Sequence, residues 1–405
     1  MSSLNKYKTL TLDKISIHTV KNQHPWIFSK RIEKYSKEYL PGDFIRLVDS
    51  DNTYLGTGIF SGSSDLISIR VFAFDSELTY DLIKTKLITS IEKRLPLLVY
   101  TDSFRLIHGE NDLLPGINVD YHSGTIILRY YSKSLYVFSR MILRALWNLI
   151  WNNPNWNLRI ENAYIQAPKR IGKNNIQFLN SFRVLRGMKH EYIKIRYRDI
   201  NYLIKPDMQK GGIYNDIRNL RDYLWLHKSY VYDKSVLNLF SNNGLLSKCL
   251  VNLGAKKVYS IEDSKECIDV HILNSAKNPK EIIIKKNLFT EYDEFAKKID
   301  FKYDLIIIDP PSLTSSAKDK PKAIIIYKKL ISISLGILSK DGILILCSCS
   351  NRIHTNEFEN ISKMAFAENE VKMKRLDRLK NEIDHPIIEN FPEGDYFKVH
   401  IYKKI

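Results

Sequence analysis

The chain has 405 residues, of which 44% are hydrophobic and 26% are charged, so its composition is that of a globular protein with room for two or three domains. No run of 18 apolar residues occurs and the first residues lack an apolar signal core, which argues against a membrane span and against secretion. Lysine and arginine number 62 against 45 aspartates and glutamates, a net charge of +17. This balance favours a polyanionic partner such as RNA, although a genome rich in Ile, Lys and Asn codons would also raise the lysine count.

The four cysteines do not form a disulfide framework in a chain of this length, and no CxxC pair is present. We therefore predict no metal site. Cys249 and Cys267 fall in helical patterns and are expected to be small core residues. Cys347 and Cys349 lie where an apolar run ends, two residues apart, so they should point to the same face of a strand.

The first residues alternate like a strand, and residues 1 to about 75 contain four strand-like segments separated by turn residues, TLTL, DFIRLVD, YLGTGIF and LISIRVF. Short strands at this spacing predict a small β-barrel. Its leading loop, residues 21–30, reads KNQHPWIFSK and mixes basic with aromatic side chains, which suits contacts with RNA. The candidate RNA-binding residues are Lys21, His24, Trp26 and Lys30. The alternative is that the loop's aromatic residues plug the barrel.

The middle of the chain alternates helical and strand-like patterns and predicts a small α+β module. Its expected elements are a linking helix at 80–94, a turn-rich motif at 104–120 followed by a strand, a long amphipathic helix at 135–151, and strands near 163–165, 193–196 and 202–204.

The stretch from 235 to 262, SVLNLFSNNGLLSKCLVNLGAKKVYSIE, has the pattern of a βαβ unit. Its first strand stops at a glycine-bearing turn before a helical pattern, and its second strand ends at Glu262. Such a turn brings backbone N–H groups close to a ligand at a helix N-terminus, and the carboxylate can accept bonds from ribose hydroxyls. A pure scaffold is the alternative for this stretch alone.

Two further apolar runs end in chemically useful residues, YDLIIIDPP at 303–311 and GILILCSCS at 342–350. Strand and helix patterns alternate from residue 235 onward, which predicts a doubly wound parallel sheet with its site at the carboxyl ends of the strands. The predicted strands are 236–240, 258–261, 282–284, 305–308 and 343–346. The tail from 371 is expected to add a hairpin, with 396–401 as an edge strand.

These motifs, in this order, resemble the class I S-adenosylmethionine (SAM)-dependent methyltransferases that form 5-methylcytosine in large-subunit ribosomal RNA. The segments that carry the resemblance are HPWIF, PGD, FRLIHGENDLLPGINVD, MQKGGIYNDIRNLR, VLNLFSNNG, YDLIIIDPP, CSCS and DHPIIENFPEGDYFKVH. The resemblance implies an α/β chain with a Rossmann-like class I methyltransferase domain, a doubly wound sheet, preceded by a small β-barrel PUA domain and a small α+β central domain. The implied domains span 1–75 (RNA-binding barrel), 76–205 (central domain with linker helix) and 206–405 (methyltransferase).

The resemblance also implies roles for individual residues. Those expected to bind SAM are Phe240, Ser241, Asn242, Gly244, Glu262, Asn287, Asp309 and Pro310, and those expected to line the active site are Gln209, Lys210, Asp216, Arg218 and Pro311. Cys349 is the implied nucleophile. Asp309 or a water is expected to remove the final proton, with His385 as an outside candidate. The chain departs from the family at five places, any of which could weaken cofactor binding or alter base specificity: Gly211-Gly212, Ile217, Asn242-Asn243, Ser312-Leu313 and Asn287, where an acidic residue is usual.

A thiol suits this chemistry, because the C5 carbon of cytosine is too weakly nucleophilic to take a methyl group unaided. Thiolate addition at C6 turns C5 into an enamine-like carbon that attacks the methyl group, and a base then removes the C5 proton. Two alternatives remain open: an rRNA guanine N-methyltransferase, in which the cysteines are dispensable, and a non-catalytic RNA-binding ribosome-assembly factor. We expect a cytoplasmic protein (organellar in a eukaryote) with rRNA as partner, no membrane, and a homodimer as one option.

Overall fold

The computed structural model describes residues 7–32, 38–62, 65–167, 182–208, 212–314 and 316–405. These residues form two compact units. The first takes the described residues of Met1–Arg198, Pro206–Gly211 and Ile383–Gly394, and the second takes those of Asp199–Lys205, Gly212–Glu382 and Asp395–Ile405. The division into three domains at residues 75 and 205 remains a prediction.

The first unit begins with a five-stranded sheet in the order β1-β3-β4-β5-β2. Its elements are β1 (Lys8–Thr11), α1 (Lys14–Lys21), β2 (Trp26–Phe28), β3 (Phe44–Val48), β4 (Tyr54–Phe60) and β5 (Ile67–Phe74). β1 runs parallel to β3, and the other pairs are antiparallel. The strands predicted for this region are thus present.

The expectation that the strand-like alternation continues through the first 18 residues was wrong, because α1 begins at Lys14. The side chain of Asp13 accepts a hydrogen bond from the main-chain N–H of Ser16 at 2.7 Å. An aspartate at the N-cap satisfies a helix N–H that would otherwise lack a partner. Val20 is buried on the inner face of the helix and contributes to the core of this sheet. Capping and burial therefore override the local alternation.

A second five-stranded sheet in the first unit has the order β10-β9-β8-β7-β6. The elements of this part are α2 (Tyr80–Arg94), β6 (Ser103–His108), β7 (Ile117–His122), β8 (Thr125–Tyr130), α3 (Tyr136–Trp151), β9 (Asn162–Gln166), β10 (Phe182–Arg186) and β11 (Ile193–Tyr197). One hydrophobic core joins both sheets. Phe72 of β5 packs edge-on against Phe138 of α3, with ring centroids 4.7 Å apart, so both sheets bury apolar surface in a single core.

The second unit contains a seven-stranded sheet in the order β15-β14-β13-β16-β17-β19-β18. The elements of the second unit are β12 (Ile200–Ile204), α4 (Arg218–Leu226), β13 (Ser235–Leu239), α5 (Leu245–Asn252), β14 (Lys257–Glu262), α6 (Lys265–Ser275), β15 (Glu281–Lys285), α7 (Tyr292–Lys297), β16 (Tyr303–Ile308), α8 (Lys320–Ile337), β17 (Leu338–Ser348), α9 (Thr355–Glu368), β18 (Met373–Leu379) and β19 (Lys398–Lys404). Strands β13 to β17 are parallel. The predicted doubly wound sheet is confirmed, and its strand order reverses between β13 and β16, where such sheets place their ligands.

The last strand corrects the prediction that 396–401 forms an edge. β19 lies between β17 and β18 and is antiparallel to both, and residues 398–402 are buried. The edge is instead β18, whose sequence MKRLDRL leaves its charged side chains exposed. Charged residues on an outer strand discourage pairing with another chain.

Candidate active site at the ends of the parallel strands

The turn that follows β13 has a strained backbone that only particular residues tolerate. Phe240, Asn242 and Gly244 have φ angles of +60°, +50° and +81°. A Cβ placed on Gly244 would lie 2.0 Å from Cδ2 of His271, so glycine is required there for both its φ and its lack of a side chain. Residues other than glycine that adopt left-handed backbone angles cost conformational energy, and they concentrate at ligand sites. The turn delivers the chain into α5, which begins at Leu245.

The carboxylate of Glu262 is fixed beside this turn by main-chain N–H groups. Its Oε2 accepts from the N–H of Asn242 at 2.9 Å, and its Oε1 accepts from those of Asp263 and Ser264, each at 2.9 Å. Three main-chain donors hold the side chain in one orientation, because hydrogen bonds to an ionised carboxylate are strong. The acid at the end of β14 is therefore bonded to the glycine-bearing turn.

Asn287, at the end of the next strand, is paired with an acid that the sequence motifs did not single out. Its Nδ2 donates to Oδ2 of Asp263 at 2.8 Å. The rings of Phe240 and Phe289 lie 5.3 Å apart, centroid to centroid. Asp263 directly follows Glu262 in the sequence, and this adjacency was the available signal. The acidic group missing at position 287 is thus present beside it.

The Asp-Pro-Pro turn and the second cysteine meet where β16 and β17 end. The Sγ of Cys349 donates to the main-chain oxygen of Pro310 at 3.3 Å. Pro310 is buried, Asp309 and Cys349 are half-buried, and Pro311 is exposed. Because these are neighbouring parallel strands, the Asp-Pro-Pro turn and the thiol come together at one edge of the sheet.

The other cysteine of this motif is in a different environment. Cys347 is buried, with 1% of its surface exposed. Burial raises the pKa of its thiol well above the ordinary value, and the negative charge of Asp309 acts in the same direction. Cys347 is therefore a neutral thiol at physiological pH and a poor nucleophile, since the thiolate is the reactive form.

A buried lysine, which the sequence motifs did not indicate, lies next to this edge. Lys398 is 3% exposed, and its Nζ donates to the main-chain oxygens of Ser350, Asp395 and Tyr396 at 2.6, 3.1 and 3.2 Å. Burial lowers its pKa to about 8, while the charges of Asp395 and Cys349 oppose that shift. The one signal in the sequence was its place between the apolar residues Phe397 and Val399 in the predicted strand 396–401.

Comparisons with known proteins identify chains of similar sequence and fold. A family model described as a PUA-like domain matches residues 10–74. A relative from Aeromonas salmonicida, named ribosomal RNA large subunit methyltransferase I, is 29% identical over 93% of this chain and 94% of its own length. Among solved structures, a putative SAM-dependent methyltransferase from Streptococcus mutans has a TM-score of 0.79 at 20% identity over 98% of this chain and all of its own. The putative methyltransferase SMU.776, complexed with SAH, has a TM-score of 0.81 at 21% identity and the same coverage.

The chain has the fold of a SAM-dependent methyltransferase with a PUA-like domain. The resemblance recognised from the sequence motifs is confirmed. The second compact unit is called the methyltransferase unit from here on.

In the methyltransferase unit, Asp216 and Arg218 precede β13 and are both buried. The Oδ2 of Asp216 accepts from the hydroxyl of Tyr396 at 2.9 Å, and the guanidinium of Arg218 pairs with Glu382 at 3.2 Å. Asp216 also contributes to the raised pKa of Cys347, so this carboxylate belongs to the same cluster of charges. Gln209 and Lys210 lie outside the described residues.

The aromatic residues of the predicted RNA-binding loop have partners within the first unit. The indole N–H of Trp26 donates to Oε1 of Glu110 at 2.8 Å, and its ring meets Phe391 edge-on at 4.6 Å. His24 lies 3.3 Å from the carboxylate of Glu393. Both side chains are half-buried and neither belongs to the core cluster of the first sheet. Trp26 and His24 therefore contact other segments of the first unit, and they do not fill the interior of the first sheet.

The remaining predicted residues of the first unit differ in exposure. Lys21, at the end of α1, and Lys30 are both exposed. His385 is buried, its Nδ1 lies 2.9 Å from Oδ1 of Asp384, and its ring lies 4.7 Å from that of His108. His385 thus takes part in a buried polar cluster of the first unit.

Metal-binding clusters and membrane-spanning helices are both missing from the part of the chain that the structure describes. No group of three or more His, Cys, Asp or Glu side chains there is arranged to hold a metal ion. No helix in the same described residues is both long enough and apolar enough to cross a bilayer.

Proposed function

We propose that this protein is a SAM-dependent RNA methyltransferase that forms 5-methylcytosine in large-subunit ribosomal RNA through a covalent adduct with Cys349. The observation that carries the proposal is the position of Cys349, a half-exposed thiol that is hydrogen-bonded to the main-chain oxygen of Pro310 at the carboxyl ends of the parallel strands, where sheets of this kind bind their ligands. The name and near full-length match of the Aeromonas salmonicida relative support the choice of rRNA.

The residues around the turn after β13 fit SAM as the methyl donor. The carboxylate of Glu262 is an acceptor suited to the two hydroxyls of a ribose, and it is already oriented by three N–H groups. Asp263 and Asn287 offer an acid and an amide to the amino group of adenine, with Phe240 beside them. When bound, SAM supplies an electrophilic methyl group on a sulfonium.

In the proposed reaction the Cys349 thiolate forms a bond to C6 of the target cytosine. The electrons of the C5–C6 double bond then form the bond to the methyl carbon, whose bond to sulfonium sulfur breaks. Asp309, half-buried next to Pro310, takes the C5 proton directly or through a water. The electrons of that C–H bond restore the double bond, and the thiolate leaves.

Contacts with RNA outside the catalytic edge are proposed for the PUA-like domain. The exposed ammonium groups of Lys21 and Lys30 are available to phosphates, and the net charge of +17 favours a polyanion. The proposal places the protein in the cytoplasm, with no membrane partner. A homodimer remains a prediction.

The test is transfer of labelled methyl groups from SAM to naked large-subunit rRNA and to isolated large subunits, followed by nucleoside analysis. Wild type and Cys347→Ala should both yield 5-methylcytosine, and Cys349→Ala should yield none. Undiminished activity of Cys349→Ala, or methylated guanine as the product, would favour an N-methyltransferase. No transfer by wild type to either substrate, with RNA still bound, would favour an assembly factor.

A further inference from the structure

Lys398 lies opposite the strand that leads into the nucleophile. The Cα of Lys398 in β19 pairs with that of Ser348 in β17, one residue before Cys349. The four residues that follow it are buried, as Lys398 is. Burying an ammonium is costly unless its donors are satisfied, so its presence here calls for an explanation.

The three donors of this ammonium are matched by three acceptors. Its Nζ donates to the main-chain oxygens of Ser350, Asp395 and Tyr396, and a lysine ammonium has three N–H bonds and no acceptor. A neutral amine would have only two donors for the three oxygens. The geometry therefore selects the charged form and ties it to Ser350, the residue directly after the nucleophile. A group whose protons are all donated in this way is not suited to remove a proton from cytosine.

Several ionisable groups interact with the motif that contains Cys349. The groups that interact with the two cysteines or with Lys398 are Asp216, Asp309, Cys347, Tyr327 and Asp395. Carboxylates near a thiol disfavour its ionisation, whereas an adjacent cation favours it. Lys398 is coupled electrostatically to Cys349, so its positive charge favours the ionised form of the sulfur.

We propose that Lys398 is a positioning residue whose ammonium holds a positive charge beside Cys349 at neutral pH, so that this thiol is ionised when it attacks RNA. The proposal rests on the proposed function for the role of Cys349. The effect of the charge on the thiol, however, is independent of any methyl donor or RNA.

The test is the rate at which iodoacetamide alkylates Cys349, followed by peptide mass from pH 6 to 10 in the full-length protein. Wild-type alkylation should have its midpoint below the value of about 8.5 for a free cysteine. Lys398→Met should raise that midpoint by about one pH unit and lower the rate at pH 7 about tenfold. Lys398→Arg, which keeps the charge, should recover most of the rate.

The matched control is Lys404→Met, because Lys404 lies in the same strand and donates to the main-chain oxygens of Leu335 and Leu338. It should leave the alkylation of Cys349 unchanged. A wild-type midpoint at or above that of free cysteine would overturn the proposal, even if Lys398→Met fails to fold. If Lys398→Met folds, an unshifted alkylation midpoint in that variant would overturn it as well. If the wild-type alkylation midpoint lies below that of free cysteine but the wild-type protein transfers no methyl group to rRNA, the proposed function fails and the proposal for Lys398 stands.

Discussion

The thiol of Cys349 and the main-chain oxygen of Pro310 are joined by a hydrogen bond of 3.3 Å. This contact follows from the sheet, because Ile308 of β16 lies opposite Leu346 of β17 in a parallel pair. Two segments distant in sequence therefore leave the sheet side by side. The proposed mechanism, which adds a thiol and later removes a proton, requires the Asp309 carboxylate and the Cys349 thiol to face one reaction centre.

Gly244→Ala should weaken cofactor binding. The new Cβ would lie 2.0 Å from the ring of His271, at a φ of +81° that alanine rarely adopts. Calorimetry with S-adenosylhomocysteine should show at least about a tenfold loss of affinity, since strain of about 1–3 kcal/mol must be relieved by moving the turn. Gly336→Ala is the control, because a Cβ at that position would have no atom within 4 Å. Equal affinities for the two variants would contradict the assigned role of the turn.

Glu262→Gln should weaken the same ligand by about tenfold or more, because a bond to a charged acceptor contributes about 1.5–3 kcal/mol. Glu266→Gln, four residues along the chain, is the matched control. The side chain of Glu266 is about half exposed and pairs with Lys205, so its loss should not change the affinity. An unaltered dissociation constant for Glu262→Gln would remove the ribose assignment.

Removal of one partner from a buried ion pair of the first unit should strongly lower the free energy of unfolding. The guanidinium of Arg94, which is fully buried, donates to both carboxylate oxygens of Asp112 at 3.0 and 2.5 Å. Asp112→Asn removes one partner and leaves a buried charge unpaired, which costs about 3–5 kcal/mol. Urea unfolding should show this loss, whereas Asp293→Asn, which breaks an exposed pair with Lys297, should leave the midpoint almost unchanged. Similar midpoints for both variants would show that the buried pair contributes little.

Lowering the pH should destabilise the protein at pH values well above the pKa of its carboxylates. Burial lowers the pKa of His122 and of His400 to about 4, whereas an unfolded histidine titrates near 6.5. Between these values the unfolded state binds more protons, so the free energy of unfolding falls as the pH drops from about 6.5 to 4, by about 1.4 kcal/mol per pH unit for each histidine.

The check is urea unfolding at pH 7, 6 and 5 for wild type and His400→Phe. The variant should lose stability less steeply as the pH falls, because it has one titrating histidine fewer. A slope identical to that of wild type would show that His400 titrates alike in both states.

The ends of the parallel strands could be predicted from the sequence because the signal for them is local. An apolar run that stops at a glycine turn, at Asp309 or at Cys349 marks a strand end, and parallel strands place such ends together. The linking helix over residues 80–94 was likewise readable, because it is a single amphipathic segment.

Features that depend on distant parts of the chain were missed or wrong. The position of β19 inside the sheet depends on pairing with β17, and no local pattern encodes which strands are neighbours. Lys398 acquires its surroundings from that pairing. The helix from Lys14 was missed because an N-cap at Asp13 competes with an alternating pattern, and only tertiary burial decides between them.

The most direct test of a covalent mechanism uses large-subunit rRNA in which 5-fluorocytosine replaces cytosine. Fluorine occupies the position of the proton that must leave, so after methyl transfer the bond between sulfur and C6 cannot be released. With SAM present, wild type and Cys347→Ala should give an RNA adduct that survives denaturing electrophoresis and maps by mass spectrometry to Cys349. Cys349→Ala should give none. An adduct in Cys349→Ala, or none in a wild type that methylates ordinary rRNA at cytosine C5, would contradict the assignment of Cys349 as the nucleophile.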